Sequence, residues 1–81
     1  MAHITNKEEY IARINQLLGP NHTAMDLNGN IPVYKTLHDE CGAGGFSDAD
    51  IAATLNEYYQ LSGIFTMTAE KLQAIREQHN F

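Results

Sequence analysis

The apolar residues near the start of the chain recur at helical spacing. The stretch from about Asn6 to Leu18 carries one apolar stripe, formed by Tyr10, Ile11, Ile14, Leu17 and Leu18. Thr5 and Asn6 are residue types that cap helix N-termini, and Gly19-Pro20 ends a helix. The pattern therefore predicts a first helix over this stretch.

The stretch around Asn28-Gly29 has two interpretations. As an Asn-Gly turn, it would join Ala24–Leu27 to Ile31–Tyr34 in a short β-hairpin. Pro32 opposes this interpretation because it cannot donate a hydrogen bond within a sheet. The same proline is well placed in the first turn of a helix capped by Asn30. We favour this second helix, on which three apolar residues share one face: Tyr34, Leu37 and Cys41.

A third helix is predicted after a glycine-rich connection. Gly42, Gly44 and Gly45 end the second helix, and Ser47 precedes the third. Asp50 lies three residues after Ser47, as the acidic member of a capping box does. The apolar face consists of Ile51, Leu55, Tyr58 and Tyr59. This helix is expected to end near Ser62-Gly63.

A short apolar connector precedes the last predicted helix. It contains Ile64, Phe65 and Met67, and we expect all three side chains to be buried. Thr68 is placed to cap the last helix, which ends around His79. Leu72 and Ile75 are expected to face inward. The fold class predicted is therefore all-α, a small bundle of four short helices with a glycine-rich connection.

Length and composition predict a single domain spanning residues 1–81. Hydrophobic residues make up 43 % of the chain, which is typical of a globular domain. No apolar run approaches the roughly 20 residues that span a bilayer, and the N-terminal residues lack an apolar signal core. Cys41 is the only cysteine, which excludes an internal disulfide. We expect a cytoplasmic protein that does not associate with membranes.

The charge is acidic and unevenly distributed. Ten acidic residues against five basic ones give a net charge of −5. No basic residue lies between Lys35 and Lys71, where the acidic residues are Asp39, Glu40, Asp48, Asp50, Glu57 and Glu70. Such a surface repels nucleic acid and anionic lipid and favours a basic protein partner. The alternative is that the acidity only keeps a small protein in solution.

Three local patterns resemble ligand sites but lack the required spacing. Counted from Asp26, a calcium-binding EF-hand loop would need glycine at Ile31 and glutamate at Leu37. His38 and Cys41 supply only half of the four ligands that a structural zinc ion needs. The glycine-rich segment 42–47 matches neither phosphate-loop pattern. We therefore expect no metal and no cofactor.

Catalysis is not expected either. His38, Asp39 and Cys41 are neighbours in sequence, but a catalytic triad depends on three-dimensional geometry that adjacency does not supply. A domain of this size also has little volume for a substrate pocket beside its core. The sequence favours a protein that is not an enzyme.

The third predicted helix combines acidic and aromatic residues. We predict a partner-binding surface made of Asp48, Asp50, Glu57, Tyr58 and Tyr59. The carboxylates would steer association with a basic protein, and an exposed tyrosine would act as an anchor. In the alternative interpretation, both tyrosine rings pack in the core.

The functional hypothesis is a non-enzymatic, acidic protein-binding module. It would act as an inhibitor or regulator of a basic protein such as a nucleic-acid-processing enzyme. In size, acidity and helical build the chain is similar in type to immunity proteins and phage-encoded inhibitors, although no shared motif supports the likeness. Two alternatives stay open, a small DNA-binding regulator of the helix-turn-helix type and a structural or assembly subunit. The DNA-binding alternative lacks the basic footprint that such proteins carry.

Overall fold

Four α-helices form the fold in a computed structural model that describes residues 3–22 and 24–81. They are α1 (Lys7–Leu18), α2 (Ile31–Gly44), α3 (Asp48–Tyr59) and α4 (Ala69–His79), with short 3₁₀ turns at Asn28–Asn30 and Gly63–Phe65. The predicted all-α class is confirmed. Met1, Ala2 and Thr23 lie outside the described residues. The expectation for the first two N-terminal residues therefore concerns positions that the structure does not describe.

Side-chain caps set the beginnings of three helices as predicted. Asn6 accepts a hydrogen bond from the Glu9 amide at the start of α1. Ser47 and Asp50 form a reciprocal capping box at α3, and Thr68 caps α4. These bonds satisfy backbone amides that have no partner within the helix. The helix starts are therefore determined by local sequence.

The second helix starts at Ile31, and the hairpin alternative is not formed. The Asn28–Asn30 turn runs directly into α2, with Pro32 in its first turn. Asn30 occupies the capping position, but its side chain donates instead to the Asp26 carbonyl oxygen at 2.8 Å. The Asn-Gly pair thus belongs to a helical turn rather than to a β-turn between strands.

The third helix is shorter than predicted. It ends at Tyr59, because Gln60 adopts a left-handed conformation with φ of 54°. The amides of Gln60 and Leu61 both donate to the Asn56 carbonyl oxygen, which closes the helix. This termination does not use the glycine at position 63 from which the later end was predicted.

The core is formed mainly by α1, α2 and α3. Helix α1 packs against both α2 and α3, and α4 packs against α3. The most deeply buried side chains are Ile4, Tyr10, Ile14, Leu37, Cys41 and Leu55. The predicted inner face of α2 is confirmed. No helix in the described ranges has the length and apolar character required to cross a bilayer.

The segment before α1 is an unpredicted part of the core. Ile4 is only 2 % exposed, and its amide donates to the Glu40 carbonyl oxygen at 3.1 Å. Gly44 lies under this segment so closely that a Cβ atom there would come within 2.9 Å of three backbone atoms of Ile4. The glycine allows the backbone of the N-terminal segment to reach the end of α2.

An ion pair between a buried carboxylate and a partly exposed guanidinium joins α1 to α2. Both carboxylate oxygens of Glu40, which is 4 % exposed, accept from the Arg13 guanidinium at 2.8–3.2 Å. The hydrogen bond to Glu40 raises the pKa of Arg13. This bidentate geometry compensates a carboxylate that would otherwise be buried without a partner.

The prediction that the α3–α4 connector is wholly buried is wrong for two of its three apolar residues. Met67 is buried, but Ile64 is 84 % exposed and Phe65 is 70 % exposed. Both amide and carbonyl of Met67 bond to the Asn56 side chain, at 2.7 and 3.0 Å. These two bonds hold Met67 against the core, while the 3₁₀ turn directs the side chains of Ile64 and Phe65 outward.

Cys41 is expected to be unreactive in the folded protein. Burial, reinforced by the carboxylates of Glu40 and Asp48, raises the pKa of its thiol from 9.0 to about 12. The thiolate is the reactive form, so labelling by a disulfide reagent should be at least about 100-fold slower than in concentrated denaturant. The same shift makes stability fall as pH rises from 9.0 toward about 12, because only the unfolded chain loses the proton there. Rapid labelling of the folded protein would contradict the burial.

Candidate functional site

A groove with acidic walls lies between the start of α1 and the outer face of α3. Its volume is about 350 Å³. Its carboxylates are Glu8, Asp50 and Glu57. The other lining residues are Thr5, Asn6, Lys7, Phe46, Ala53 and Thr54. The fold therefore brings two of the predicted partner-binding acids, Asp50 and Glu57, to one concave surface.

The capping interactions at the helix starts hold the groove walls in place. Asp50 accepts from the Ser47 hydroxyl at 2.8 Å and from the Ser47 amide at 3.3 Å. At the start of α1, Glu9 accepts from the Thr5 amide at 2.8 Å and also from its hydroxyl. The hydrogen bonds from Thr5 lower the pKa of Glu9. The same bonds that begin each helix thus position the groove lining.

Lys7 is the cation within the groove lining. Its Nζ atom lies 3.3 Å from one Glu57 oxygen and 3.4 Å from the other. The two side chains are 49 % and 66 % exposed, so solvent competes with the contact. Exposed ion pairs of this kind add little stability. Another cation can therefore take the place of Lys7 at Glu57 at small cost.

Three ion pairs engage three of the acidic side chains, and the other acidic side chains form no ion pair within the described residues. The ion pairs are Lys7–Glu57, Arg13–Glu40 and Arg76–Asp48. They use three of the five basic residues and three of the ten acidic ones, which leaves seven acids against Lys35 and Lys71. Lys71 in turn donates to backbone carbonyl oxygens. The internal pairing thus leaves the negative excess of the chain at its surface.

Asp48 lies apart from the groove, at the contact of α3 with α4. Its two oxygens accept from the Arg76 guanidinium, one of them at 2.9 Å from Nη1. Arg76 is the less exposed partner, at 14 % against 30 % for Asp48. The pair joins the first turn of α3 to the last turns of α4, which is a structural task for this predicted site residue.

Tyr58 and Tyr59 form an aromatic cluster with His22 near the end of α3. The two tyrosine rings are edge-to-face, with centroids 4.9 Å apart. The Tyr58 hydroxyl donates to the Asn15 side-chain oxygen at 3.0 Å. The Tyr59 hydroxyl lies 2.7 Å from His22 Nε2. Both tyrosines are half-buried, and each has its hydroxyl engaged within the chain.

His22 connects this cluster to the end of α1. Its Nδ1 atom lies 2.6 Å from the Gly19 carbonyl oxygen, so Nδ1 carries the proton. In the neutral ring, Nε2 then accepts from Tyr59. Burial raises the pKa of Tyr59. The neighbouring Tyr34 hydroxyl is buried without a hydrogen bond of good geometry, and burial raises its pKa above the ordinary range.

The described residues contain no cluster of metal-binding side chains. No group of three or more His, Cys, Asp or Glu side chains there is arranged to hold a metal ion. The His38 ring packs against Phe81, with centroids 6.0 Å apart, and Cys41 is buried. An apolar cavity between α2, α3 and α4 measures about 20 Å³, the size of about one water molecule.

Comparison with known proteins adds no functional information. No protein-family model, curated protein or solved structure matches the chain. The functional argument therefore depends on the chemistry of the residues themselves.

Among the three carboxylates of the groove, the sequence analysis missed Glu8. Glu8 lies in the first turn of α1, where the helix dipole favours a carboxylate without any further role. Its position opposite Asp50 and Glu57 depends on how α1 packs against α3. Sequence spacing contains no signal for that contact between residues more than forty positions apart.

Proposed function

We propose that this protein is a non-enzymatic binding module that recognises a basic protein through the acidic groove. It would act as an inhibitor or regulator of a partner that itself handles nucleic acid. The observation that carries the proposal is the convergence of Glu8, Asp50 and Glu57 on one concave surface of an acidic domain. A free buried thiol suits a reducing compartment, so the proposal places this binding in the cytoplasm.

The groove suits a lysine or arginine side chain of the partner. The stem of such a side chain can pack along Phe46 and Ala53, while its charged end meets the carboxylates. A partner cation would exchange with Lys7 at Glu57, because that ion pair is exposed. The wider negative surface would speed the encounter, with an effect that decreases as salt concentration rises.

A second contact with the partner is still predicted at the aromatic cluster of Tyr58, Tyr59 and His22. Tyr58 and Tyr59 have their hydroxyls bonded to Asn15 and His22, so a partner would meet ring surface rather than free hydroxyl groups. Asp48 takes part through the general field of the surface, because Arg76 already neutralises it.

The proposal is tested by capture from lysate of the cells that express the protein. Tagged wild-type protein is compared with the groove variant Glu8→Lys/Glu57→Lys, and captured proteins are identified by mass spectrometry. The control is Asp39→Lys/Glu77→Lys, which has the same net charge but changes residues outside the groove lining. Each capture is performed with and without nuclease.

The proposal predicts one basic protein that survives nuclease treatment. Its capture by the groove variant should be at least about tenfold weaker than by the control, as loss of a close charge pair produces. Equal loss in both double variants would show that only net charge matters and would reject the groove. Loss of every partner on nuclease treatment would favour the DNA-binding alternative. A stable homo-oligomer with no other partner would favour a structural subunit.

A further inference from the structure

The turn between α3 and α4 projects two large apolar side chains into solvent. Ile64 is 84 % exposed and Phe65 is 70 % exposed, whereas the other large hydrophobic side chains in the described ranges are buried or half-buried. A protein of this size gains stability by burying such side chains. Their adjacent exposure at one turn is therefore a candidate contact surface.

The turn is held by hydrogen bonds along its backbone. The Phe65 amide donates to the Ser62 carbonyl oxygen at 3.1 Å, and the Thr66 amide donates to that of Gly63 at 3.2 Å. Gly63 has a φ of 59°, a conformation that favours glycine. The backbone that carries Ile64 and Phe65 is thus a defined 3₁₀ turn.

Side chains of the flanking helices brace the same turn. Lys71 of α4 donates from Nζ to the carbonyl oxygens of Ile64 and Thr66, at 3.2 and 2.7 Å. Asn56 of α3 holds the backbone of Met67 through two hydrogen bonds. These contacts fix the turn in position, which lowers the entropy lost when its side chains are bound.

We propose that Ile64 and Phe65 form an anchor that inserts into an apolar pocket on the partner protein. A convex pair of apolar side chains on a fixed turn is complementary to a concave apolar site. Large side chains that fill such pockets commonly supply much of an interface's affinity. The choice of a basic protein as the occupant depends on the proposed function, since the charge of the domain selects such a partner.

A second copy of the chain is not a suitable occupant. The apolar cavity of about 20 Å³ is too small to receive a phenyl ring. The larger groove carries three carboxylates, which would lose hydration against an apolar anchor. Two copies, each with a net charge of −5, also repel one another. These features favour a different protein as the occupant.

A membrane is also a poor occupant. Two side chains bury little area, and the acidic surface repels anionic lipid headgroups. Within a protein interface the same two residues are sufficient as a centre, because the surrounding contacts can be polar. Standard interfaces bury about 800 Å² on each partner, so the anchor requires additional contacts such as the groove.

Photo-crosslinking tests the anchor directly. The photoreactive residue p-benzoylphenylalanine replaces Phe65 in the full chain, and a control places it at Gln73, an exposed residue of α4. Irradiation in lysate of the expressing cells is followed by mass spectrometry of the adducts and of the crosslinked peptide. In parallel, the partner identified by crosslinking is captured from lysate with three baits: wild type, Phe65→Ser and the groove variant Glu8→Lys/Glu57→Lys.

The expected result is an adduct at position 65, absent at position 73, with apolar residues of a different, basic protein. Phe65→Ser should weaken capture of that protein at least about tenfold. The Tm of the Phe65→Ser variant should differ from that of wild type by less than about 2 °C, because the Phe65 side chain is exposed. A larger loss of Tm would show that Phe65 packs within the domain and would overturn the anchor.

The remaining outcomes also decide the proposal. Adducts only with a second copy or with lipid would overturn it, as would the absence of any adduct beyond those of the control. Weakening by the groove variant but not by Phe65→Ser would retain the proposed function and reject the anchor. Weakening by Phe65→Ser alone would retain the anchor and reject the groove.

Discussion

Gly44→Ala is expected to lower the free energy of unfolding by about 2 kcal/mol. A Cβ at this position would come within 2.9 Å of three backbone atoms of Ile4, so the N-terminal segment must move away. The movement exposes an isoleucine that is 2 % exposed and breaks its amide bond to the Glu40 carbonyl oxygen. Burial of one such side chain contributes about 1.5–3 kcal/mol and the hydrogen bond about 1, against about 1 kcal/mol gained in helix propensity. Urea denaturation followed by circular dichroism measures the difference.

Gly42→Ala is the matched control in the same helix. A Cβ at Gly42 would meet no atom within 4 Å apart from the backbone of its own helix, so only the propensity gain applies. This variant should be more stable than wild type by up to about 1 kcal/mol. Equal stability of the two alanine variants would show that Ile4 does not lie over Gly44.

Arg13→Met is expected to destabilise the fold more than an exposed charge substitution does. It leaves the Glu40 carboxylate, which is 4 % exposed, buried without its cation. The Tm should fall by about 10 °C, because an uncompensated buried charge is costly. The double variant Arg13→Met/Glu40→Met removes both charges and should recover most of the loss. Thermal unfolding of the single and double variants gives the coupling between the two positions.

Lys7→Met is the control for this ion-pair prediction. Lys7 and Glu57 are largely exposed, so breaking their contact should change the free energy of unfolding by less than about 0.5 kcal/mol. If the losses from Arg13→Met and Glu40→Met were simply additive in the double variant, the two side chains would not depend on each other for stability.

Local sequence was sufficient to predict most of the helical framework. The caps at Asn6, Ser47 and Thr68 determine helix starts through bonds that span three residues. The choice of a helix after Asn30 followed from the chemistry of Pro32, which fits the first turn. These features depend on neighbours in sequence, which is why periodicity and capping chemistry identify them.

The features that were missed depend on tertiary contacts or on an uncommon backbone conformation. The burial of Ile4 requires its approach to Glu40 and Gly44. The end of α3 depends on a left-handed Gln60, a residue type with no strong preference for that conformation. The exposure of Ile64 and Phe65 contradicts their apolar character and results from the way Asn56 and Lys71 hold the turn. No spacing of residue types along the sequence predicts these features.

The candidate site was predictable in composition but not in arrangement. The acidic character of α3 drew attention to Asp50 and Glu57, and the structure places both in the lining of one groove. Asp48 is only two residues from Asp50, yet it forms an ion pair with Arg76 where α3 packs against α4. Charge along a chain therefore identifies candidates, while packing decides which of them share a surface.

The most direct test of the central claim is an NMR titration of the intact protein with a short arginine-rich peptide. The probe replaces the unidentified partner and reports where this surface receives a basic ligand. We predict salt-sensitive amide shifts concentrated at the groove, from Thr5 to Glu8 and from Asp50 to Glu57. The same titration of Glu8→Lys/Glu57→Lys should show them strongly reduced. Shifts of equal size around Asp26, Asp39 and Glu77 would contradict the claim, because they would indicate attraction to net charge without a binding groove.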